Sequence, residues 1–287
     1  MRAQNPFFWP FEQIFSNFST VGSQNATEYW PQSALTTRPA VISKISLADF
    51  PVVLLDGLSD FGANRADGIL LCLILPVIGL VGALAAGGRG YFDLIFPLFS
   101  GFVLVSPIAA FAFFEMSRRR GLDQRAGWRD ALGLFASPAI GSVIVLSLIL
   151  VSLFILWVSI AHFLYLDLMA PHLPKSLDAL VIRTFTTAPG WHLLIIGYAV
   201  GLIFAIAVLA LTVVAFPVVL DRPIGLLAAI SLSFRAFAMN FFPLMVWGLI
   251  VSLLLAIGTG LFLLGLVVVL PVLGHATWHL YRRMIHF

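Results

Sequence analysis

The chain has 287 residues, of which 61% are hydrophobic and 10% are charged. Soluble domains contain about 45–50% apolar and about 25% charged residues. This composition excludes a soluble globular protein, because too few polar side chains are present to cover a water-facing surface, and it predicts a chain surrounded mostly by lipid. The net charge is only +3 and the basic residues lie beside apolar stretches, so nucleic-acid binding is not expected.

The first 40 residues are aromatic, polar and aperiodic, and they predict a flexible cytoplasmic segment ahead of a membrane domain at residues 41–287. No cleavable signal peptide is expected, because the first 66 residues lack a basic region followed by an apolar core. Residues 45–62 mix apolar positions with three aspartates, which predicts a short helix in the membrane interface with Pro51 in its first turn.

Five stretches without Asp, Glu, Lys or Arg indicate the membrane-spanning segments. One crossing needs about 20 apolar residues. The first four stretches each supply one helix, whereas the last, residues 236–281, has 46 residues and supplies two, with the turn expected at Gly258 to Gly260. The sequence therefore predicts an all-α bundle of six transmembrane helices, at about 68–87, 92–117, 138–166, 191–219, 240–257 and 261–282.

The distribution of Lys and Arg predicts the orientation, because cytoplasmic loops carry an excess of these residues. With a cytoplasmic N-terminus, the inner segments hold 13 of them and the outer segments three. We therefore predict a multi-pass protein with both termini in the cytoplasm. Further amphipathic helices are expected at 174–187 on the outer side and 224–239 on the inner side.

Residues 101–119 and 265–283 are identical at seven of 19 aligned positions, among them a glycine, a proline and an Arg-Arg pair. This similarity suggests helical-hairpin repeats in parallel orientation. The alternative is that both segments share a generic signal for leaving the membrane on the cytoplasmic side. A separate G-x-x-x-G, Gly197 to Gly201, predicts close helix packing inside the chain.

The two aligned segments place Glu115 at the position of His279, at the inner edge of the hydrocarbon. An acid at this depth is costly unless it is paired. We expect Glu115 to pair with Arg119, four residues later, and to reach His279 or Arg282 across the bundle. The candidate polar cluster at the inner membrane edge comprises Glu115, Arg118, Arg119, His275, His279 and Arg282.

Four histidines are weak candidates for binding a metal or a haem iron: His162, His192, His275 and His279. The i,i+4 spacing of His275 and His279 suits chelation, but Trp278, Tyr281 and the following arginines favour a polar collar at the membrane interface. His162 and His192 lie near the outer ends of neighbouring spans, where they could share an iron. No metal or other cofactor is predicted from these alternatives.

No catalytic motif for nucleotide binding, zinc proteolysis or serine hydrolysis is present, so no catalytic residue is predicted and the chain is not expected to be an enzyme. The lone Cys72 excludes an internal disulfide and a cysteine-pair metal site. The middles of the spans carry no charge, which counts against coupled ion transport and a proton path. A route for a neutral or lipophilic molecule remains compatible with the sequence.

Several segments carry a family resemblance: LPVLGHATWHLYRRM at 270–284, GFVLVSPIAAFAFFEMSRR at 101–119, VVLDRP at 218–223, and ISLADF with GLSDF between 45 and 61. They resemble a bacterial family of predicted integral membrane proteins, domain of unknown function 2189, from about residue 40 to the end. Glu115 and Ser117 fit its second-span pattern. Some members are labelled putative cytochrome c oxidase subunit, but this chain has no His-His or His-x-His pair to support a catalytic subunit.

The resemblance implies a bacterial plasma (inner) membrane location and no established activity. We expect a non-enzymatic accessory or scaffold protein of that membrane. The alternatives are a channel or carrier for an uncharged or lipophilic solute, and a b-type haem or metal-binding membrane protein. The expected partners are the lipid bilayer and other membrane-protein subunits, without nucleic acid, and the sequence does not define the oligomeric state.

Overall fold

A computed structural model of the chain describes residues 39–63, 90–124, 137–261 and 264–287, together with residues 30, 31, 34, 69, 72, 81, 82, 84, 85, 87, 88 and 127. Most of the predicted flexible segment 1–40 and most of the predicted span 68–87 lie outside the described residues.

The described residues are overwhelmingly helical, which confirms the all-α class. The helices are α1 (Asp49–Ala63), α2 (Ile95–Arg120), α3 (Ile140–Met169), α4 (Leu177–Thr186), α5 (Ala188–Thr212), α6 (Ala215–Asp221), α7 (Leu226–Met239), α8 (Phe241–Gly260) and α9 (Leu266–Met284). A short 3-10 helix, Phe92–Leu94, precedes α2. Two short strands, β1 (Val41–Ile42) and β2 (Ile285–His286), pair in antiparallel fashion, a feature that the sequence did not predict.

Four helical stretches among the described residues are long and apolar enough to cross a membrane: Phe92–Arg120, Ile140–Met169, Ala188–Asp221 and Phe241–Gly260. They correspond to the predicted second, third, fourth and fifth spans. The predicted sixth span exists as helix α9, but its polar C-terminal half keeps it out of this group. The chain is thus a membrane protein with several apolar helices, and the total of six spans stays a prediction.

The three predicted amphipathic segments form helices α1, α4 and α7. Helix α4 begins at the N-cap Ser176, whose hydroxyl accepts a hydrogen bond from the Ala179 N–H at 3.4 Å. Thr187 caps α5 in the same manner through the Gly190 N–H. The Thr187 cap accounts for the break between α4 and α5, because it satisfies an N–H group that the first turn of α5 leaves free.

The bundle has two distinguishable ends. One end carries Arg118, Arg119 and Arg120 of α2 with Arg282 and Arg283 of α9, and we call it the arginine end. The other carries α4 and the start of α2, and we call it the α4 end; several α4 residues line a cavity there together with Phe92.

The two termini of the membrane domain meet at the arginine end. Val41 pairs with His286 and Ile42 with Ile285. Asn240, between α7 and α8, accepts a hydrogen bond from the Ile45 N–H through Oδ1 at 2.9 Å. Residues near 41 and 286 therefore lie on the same side of the bundle, as a protein with both ends on one face of the membrane requires.

Trp30 also packs against this end: it is buried, and its indole N–H donates to the Leu220 carbonyl at 2.8 Å. This contact belongs to the segment that the sequence predicted to be flexible, and it fixes at least this position onto α6.

The predicted turn between the fifth and sixth spans is confirmed in position, because α8 ends at Gly260 and α9 begins at Leu266. The two helices approach so closely that a Cβ on Gly265 would lie 2.7 Å from the Gly258 Cα. In the predicted G-x-x-x-G, a Cβ on Gly201 would meet the ring of Trp157 at 3.2 Å, whereas one on Gly197 would meet nothing within 4 Å. Gly201 therefore packs inside the chain, against α3.

Helix α1 lies directly against α9, and Gly57 makes this contact possible. A Cβ on Gly57 would lie 2.7 Å from both the Ala276 backbone nitrogen and the Val272 carbonyl oxygen. Phe50, on the same side of α1, packs against Trp247 of α8 with ring centroids 5.5 Å apart. Small residues allow this kind of backbone approach between helices in a membrane protein.

We predict that Gly57→Ala destabilises the protein by about 1–3 kcal/mol, because the added methyl group meets rigid backbone atoms and forces α1 away from α9. Thermal unfolding in a mild detergent measures the effect as a lower midpoint.

Gly62→Ala in the same helix is the matched control, because a Cβ there meets nothing within 4 Å. It should leave the midpoint unchanged or raise it, since alanine is the better helix former. Equal midpoints for both variants would contradict the packing of α1 on α9.

Candidate functional site

A buried carboxylate lies at the arginine end of α2. Glu115 is fully buried and accepts two hydrogen bonds from Arg118, at 2.7 Å from Nε and 2.8 Å from Nη2. It also accepts one from Arg119 Nε at 2.7 Å. The expected i,i+4 pair with Arg119 is present, and Arg118 adds a bidentate pair. Two arginines thus compensate the cost of burying this charge.

A second carboxylate, Asp60, joins three helices. It is buried at the end of α1 and accepts a hydrogen bond from the Ser117 hydroxyl of α2 at 2.5 Å. Its Oδ2 lies 2.9 Å from His279 Nε2 of α9, and its Oδ1 accepts from Arg120 Nη1 at 2.8 Å. Residues of α1, α2 and α9 therefore converge on one acidic group.

The surroundings of Asp60 favour its ionised form. Burial alone would raise the pKa of this carboxyl group, but the hydrogen bonds from His279 and Ser117 outweigh burial, and the pKa is lowered from the ordinary value of 3.8. Asp60 is therefore a carboxylate at neutral pH, and it can only accept hydrogen bonds.

This charge state fixes the tautomer of the neighbouring His275. Ser117 has one hydroxyl proton, which it donates to Asp60, so its oxygen must accept the 2.7 Å hydrogen bond from His275 Nδ1. The neutral imidazole then carries its proton on Nδ1, and its Nε2 is a lone-pair acceptor. This Nε2 is buried and has no hydrogen-bond partner among the described residues.

The order of groups differs from that of a serine hydrolase. In a Ser-His-Asp triad the imidazole lies between the serine and the carboxylate and takes the serine proton. Here Ser117 lies between Asp60 and His275, and its proton is directed to a carboxylate of lowered pKa, which is a weak base. The hydroxyl is therefore a connector between α1 and α9 and is not activated for attack.

Two further aspartates complete the attachment of α9. Asp221, at the end of α6, accepts hydrogen bonds from the Tyr281 hydroxyl at 2.8 Å and from Arg282 Nη1 at 3.0 Å. Asp49, at the start of α1, accepts from Arg283 Nη1 at 2.8 Å. The C-terminal half of α9 is thus held by aspartates from two sides.

The predicted cluster is therefore brought together at one end of the bundle, but with partners that the sequence analysis did not name. Glu115 was expected to reach His279 or Arg282, and the structure instead pairs His279 with Asp60 and Arg282 with Asp221. A signal for Asp60 was present, because it shares one helical face with Phe50, Val53 and Gly57, all buried. An acid on an apolar face needs partners from another helix.

The other metal candidates are placed apart from this cluster. His162 Nδ1 lies 2.6 Å from Asp93 Oδ2 near the α4 end, and Tyr91 packs edge-on against its ring. His192 is exposed on α5. Among the described residues, no group of three or more His, Cys, Asp or Glu side chains is arranged to hold a metal ion.

A second feature extends from the arginine end toward the α4 end: two apolar cavities between α2, α5, α8 and α9. Their volumes are about 660 Å³ and about 850 Å³. Both are lined by Leu104 of α2, Leu202 of α5, Ser252 of α8 and Leu270 of α9, so they adjoin each other, and we call the two together the groove. Along α2 it runs from Ile95 to Phe114, roughly 30 Å at 1.5 Å per residue.

The described lining of the groove contains no charged residue and no histidine. Its polar groups are hydroxyls and two indole rings, and several of the hydroxyls donate hydrogen bonds within their own helix. Thr212, Thr259 and Thr277 each donate to the carbonyl four residues earlier. The groove is therefore suited to an apolar ligand and offers no partner for an ionic group.

We predict that Asp60→Asn lowers stability by about 1.5–3 kcal/mol at neutral pH, because charge-assisted hydrogen bonds to two other helices are weakened. Asp56→Asn, on the same helix, is the control and should cost little, because the structure shows no hydrogen bond to the Asp56 side chain. Unfolding midpoints in detergent compare the two variants.

The pH dependence gives a further check on Asp60. Because its folded pKa lies below 3.8, the carboxylate contributes its full stabilisation above about pH 3.8 and loses it as the pH falls through the lower folded value. The difference between wild type and Asp60→Asn should be constant from pH 5 to 7 and shrink below about pH 3.8. A difference that already fades near pH 6 would contradict this assignment.

Among the comparisons with known proteins, only a family model matches the chain. No curated protein and no solved structure matches the chain. A family model described as Predicted integral membrane protein (DUF2189) matches residues 95–221, which cover α2 to α6. The segments 45–61 and 270–284, which carry part of the sequence resemblance, lie outside this range. The match and the four long apolar helical stretches together identify the chain as an integral membrane protein.

Proposed function

We propose that the protein is a non-enzymatic membrane protein that binds a lipophilic molecule in the groove between α2, α5, α8 and α9. The observation that carries the proposal is the pair of adjoining apolar cavities whose described lining bears no charge. Binding sites for small ligands commonly occupy about 300–1,000 Å³ and are mostly apolar with a few polar groups. Each of the two cavities falls in this range.

The groove is open toward the lipid. Leu202 and Tyr198 line both cavities and are 54% and 62% exposed. In a membrane these side chains face acyl chains, since they lie on the apolar helix α5. A lipophilic molecule can therefore enter the groove laterally from the bilayer without crossing water. This favours a lipid-binding accessory protein or a carrier over an aqueous channel.

The location follows from the same features. We infer that the arginine end faces the cytoplasm of a bacterium, because Lys and Arg concentrate on the cytoplasmic side of membrane proteins. The pairing of β1 with β2 supports both ends of the membrane domain lying on that side. Contacts with other membrane-protein subunits would use the exposed apolar faces that the bundle presents to lipid.

We predict that Ala205→Trp abolishes binding of a long alkane, because the indole ring projects into the groove at a position that lines both cavities. Purified protein in detergent is incubated with deuterated tricosane, and the alkane retained per protein after gel filtration is counted by mass spectrometry. Wild type should retain an amount well above that of protein-free micelles, and Ala205→Trp should not.

Ile203→Trp is the matched control, because Ile203 is on the same helix, is 66% exposed and does not line the groove. It should retain as much alkane as the wild type. Retention by wild type no greater than that of micelles, or equal loss in both variants, would refute binding in the groove.

A further inference from the structure

The position of one groove hydroxyl points to the kind of ligand that the groove would bind. Ser252 lies near the middle of α8, eleven residues from Phe241 and eight from Gly260, and it lines both cavities. Its side chain therefore faces the groove at a depth that the apolar helices place in the hydrocarbon region.

Ser252 also differs from other serines of the bundle in its hydrogen bonding. Serines and threonines in apolar helices commonly donate to the carbonyl four residues earlier, as Ser152 does to Leu148 and Ser159 to Ile155 in α3. Within the described part of the chain, the Ser252 hydroxyl has no hydrogen-bond partner. It leaves a free donor in an apolar space, where an unpaired polar group is costly.

Other polar groups near the groove are less suited to this role. Thr184 and the indole of Trp247 also lack a hydrogen-bond partner among the described residues, but each lines only one of the two cavities. The Trp157 indole N–H is already donated to the Pro97 carbonyl at 3.2 Å. Tyr198 lines both cavities, but its side chain is mostly exposed toward lipid and packs edge-on against Phe96. Ser252 is thus a half-buried hydrogen-bond donor that lines both cavities.

We propose that the groove selects a neutral, elongated lipophile with an uncharged oxygen acceptor, such as a carbonyl, part-way along its length, and that Ser252 donates a hydrogen bond to this oxygen. The inference rests on the proposed function and adds the class of ligand. An ionised headgroup is disfavoured, because no charged side chain lines the described groove. A plain hydrocarbon fits by shape but leaves the hydroxyl unpaired.

The depth of Ser252 specifies where the acceptor must lie. About half of the groove extends from Ser252 toward the α4 end and half toward the arginine end, since it lines the cavity on each side. A ligand that fills both cavities therefore presents the middle of its length to this hydroxyl. A terminal polar group would instead lie near one end, away from Ser252.

The test uses two probes that differ only in one carbonyl: a symmetrical ketone with two undecyl chains, and tricosane, the alkane of the same length. Both are offered together to purified protein in detergent, and the ratio retained is corrected for the ratio in protein-free micelles. Wild type should prefer the ketone by about three- to tenfold, the effect of one hydrogen bond. Ser252→Ala should lower this ratio to about one, and Ser252→Thr should keep it.

A second readout reports the hydrogen bond itself. The stretching frequency of an isotope-labelled ketone carbonyl should be lower on wild type than on Ser252→Ala. Tyr198→Phe should leave both the ratio and the frequency unchanged.

The outcomes separate the two proposals. Retention of neither probe by wild type removes the proposed function and this inference with it. The role of Ser252 is overturned if wild type retains both probes without preference. It is equally overturned if the preference for the ketone survives Ser252→Ala or disappears in Tyr198→Phe. Each of these results leaves the proposal of binding in the groove intact.

Discussion

The high cost of placing a charge in hydrocarbon governs the whole structure. The four apolar helical stretches contain their charged residues only near their ends, and their central segments contain none. Where a carboxylate is buried, as at Glu115 and Asp60, basic or hydroxyl groups meet it directly. Polar chemistry is therefore confined to the two ends of the bundle, and the space between the helices accepts only apolar or neutral groups.

Helix α9 contributes both to the polar cluster at the arginine end and to the wall of the apolar groove. One face carries His275, Ala276 and His279 and contacts α1 through Gly57 and Asp60. Another face carries Leu270, Gly274 and Thr277 and forms a wall of the groove. The hydrogen bonds of Asp60 therefore fix the rotation of α9 and, with it, the shape of the groove. The described polar cluster thus lies on the helix that also forms a wall of the groove.

The sequence was sufficient to predict the elements whose signals are local. Uninterrupted apolar length identified the helices α2, α3, α5 and α8, and mixed polar and apolar patterns identified α1, α4 and α7. The i,i+4 pair of Glu115 and Arg119 was likewise predictable, because both residues lie on one helix.

The features that depend on packing between distant segments could not be predicted from spacing alone. The pairing of Asp60 with His279 joins residues 219 positions apart, and the strand pair brings together residues 41 and 286. The groove depends on how four helices cross, which a single sequence does not encode in any local pattern. Ser252 consequently looked like one of many serines in an apolar run until its neighbours were placed around it.

Photolabelling gives the most direct test of the central claim that this bundle holds a lipophile between α2, α5, α8 and α9. Protein in lipid nanodiscs is irradiated with an alkyl diazirine, and the labelled residues are identified by peptide mass spectrometry. The account predicts saturable labelling at buried groove residues such as Leu104, Leu255 and Leu270, and labelling that rises linearly with probe at the lipid-facing Ile144, Leu148 and Ile155 of α3. Labelling that is linear and equal at both sets would show that the groove is ordinary lipid-facing surface and would contradict the account.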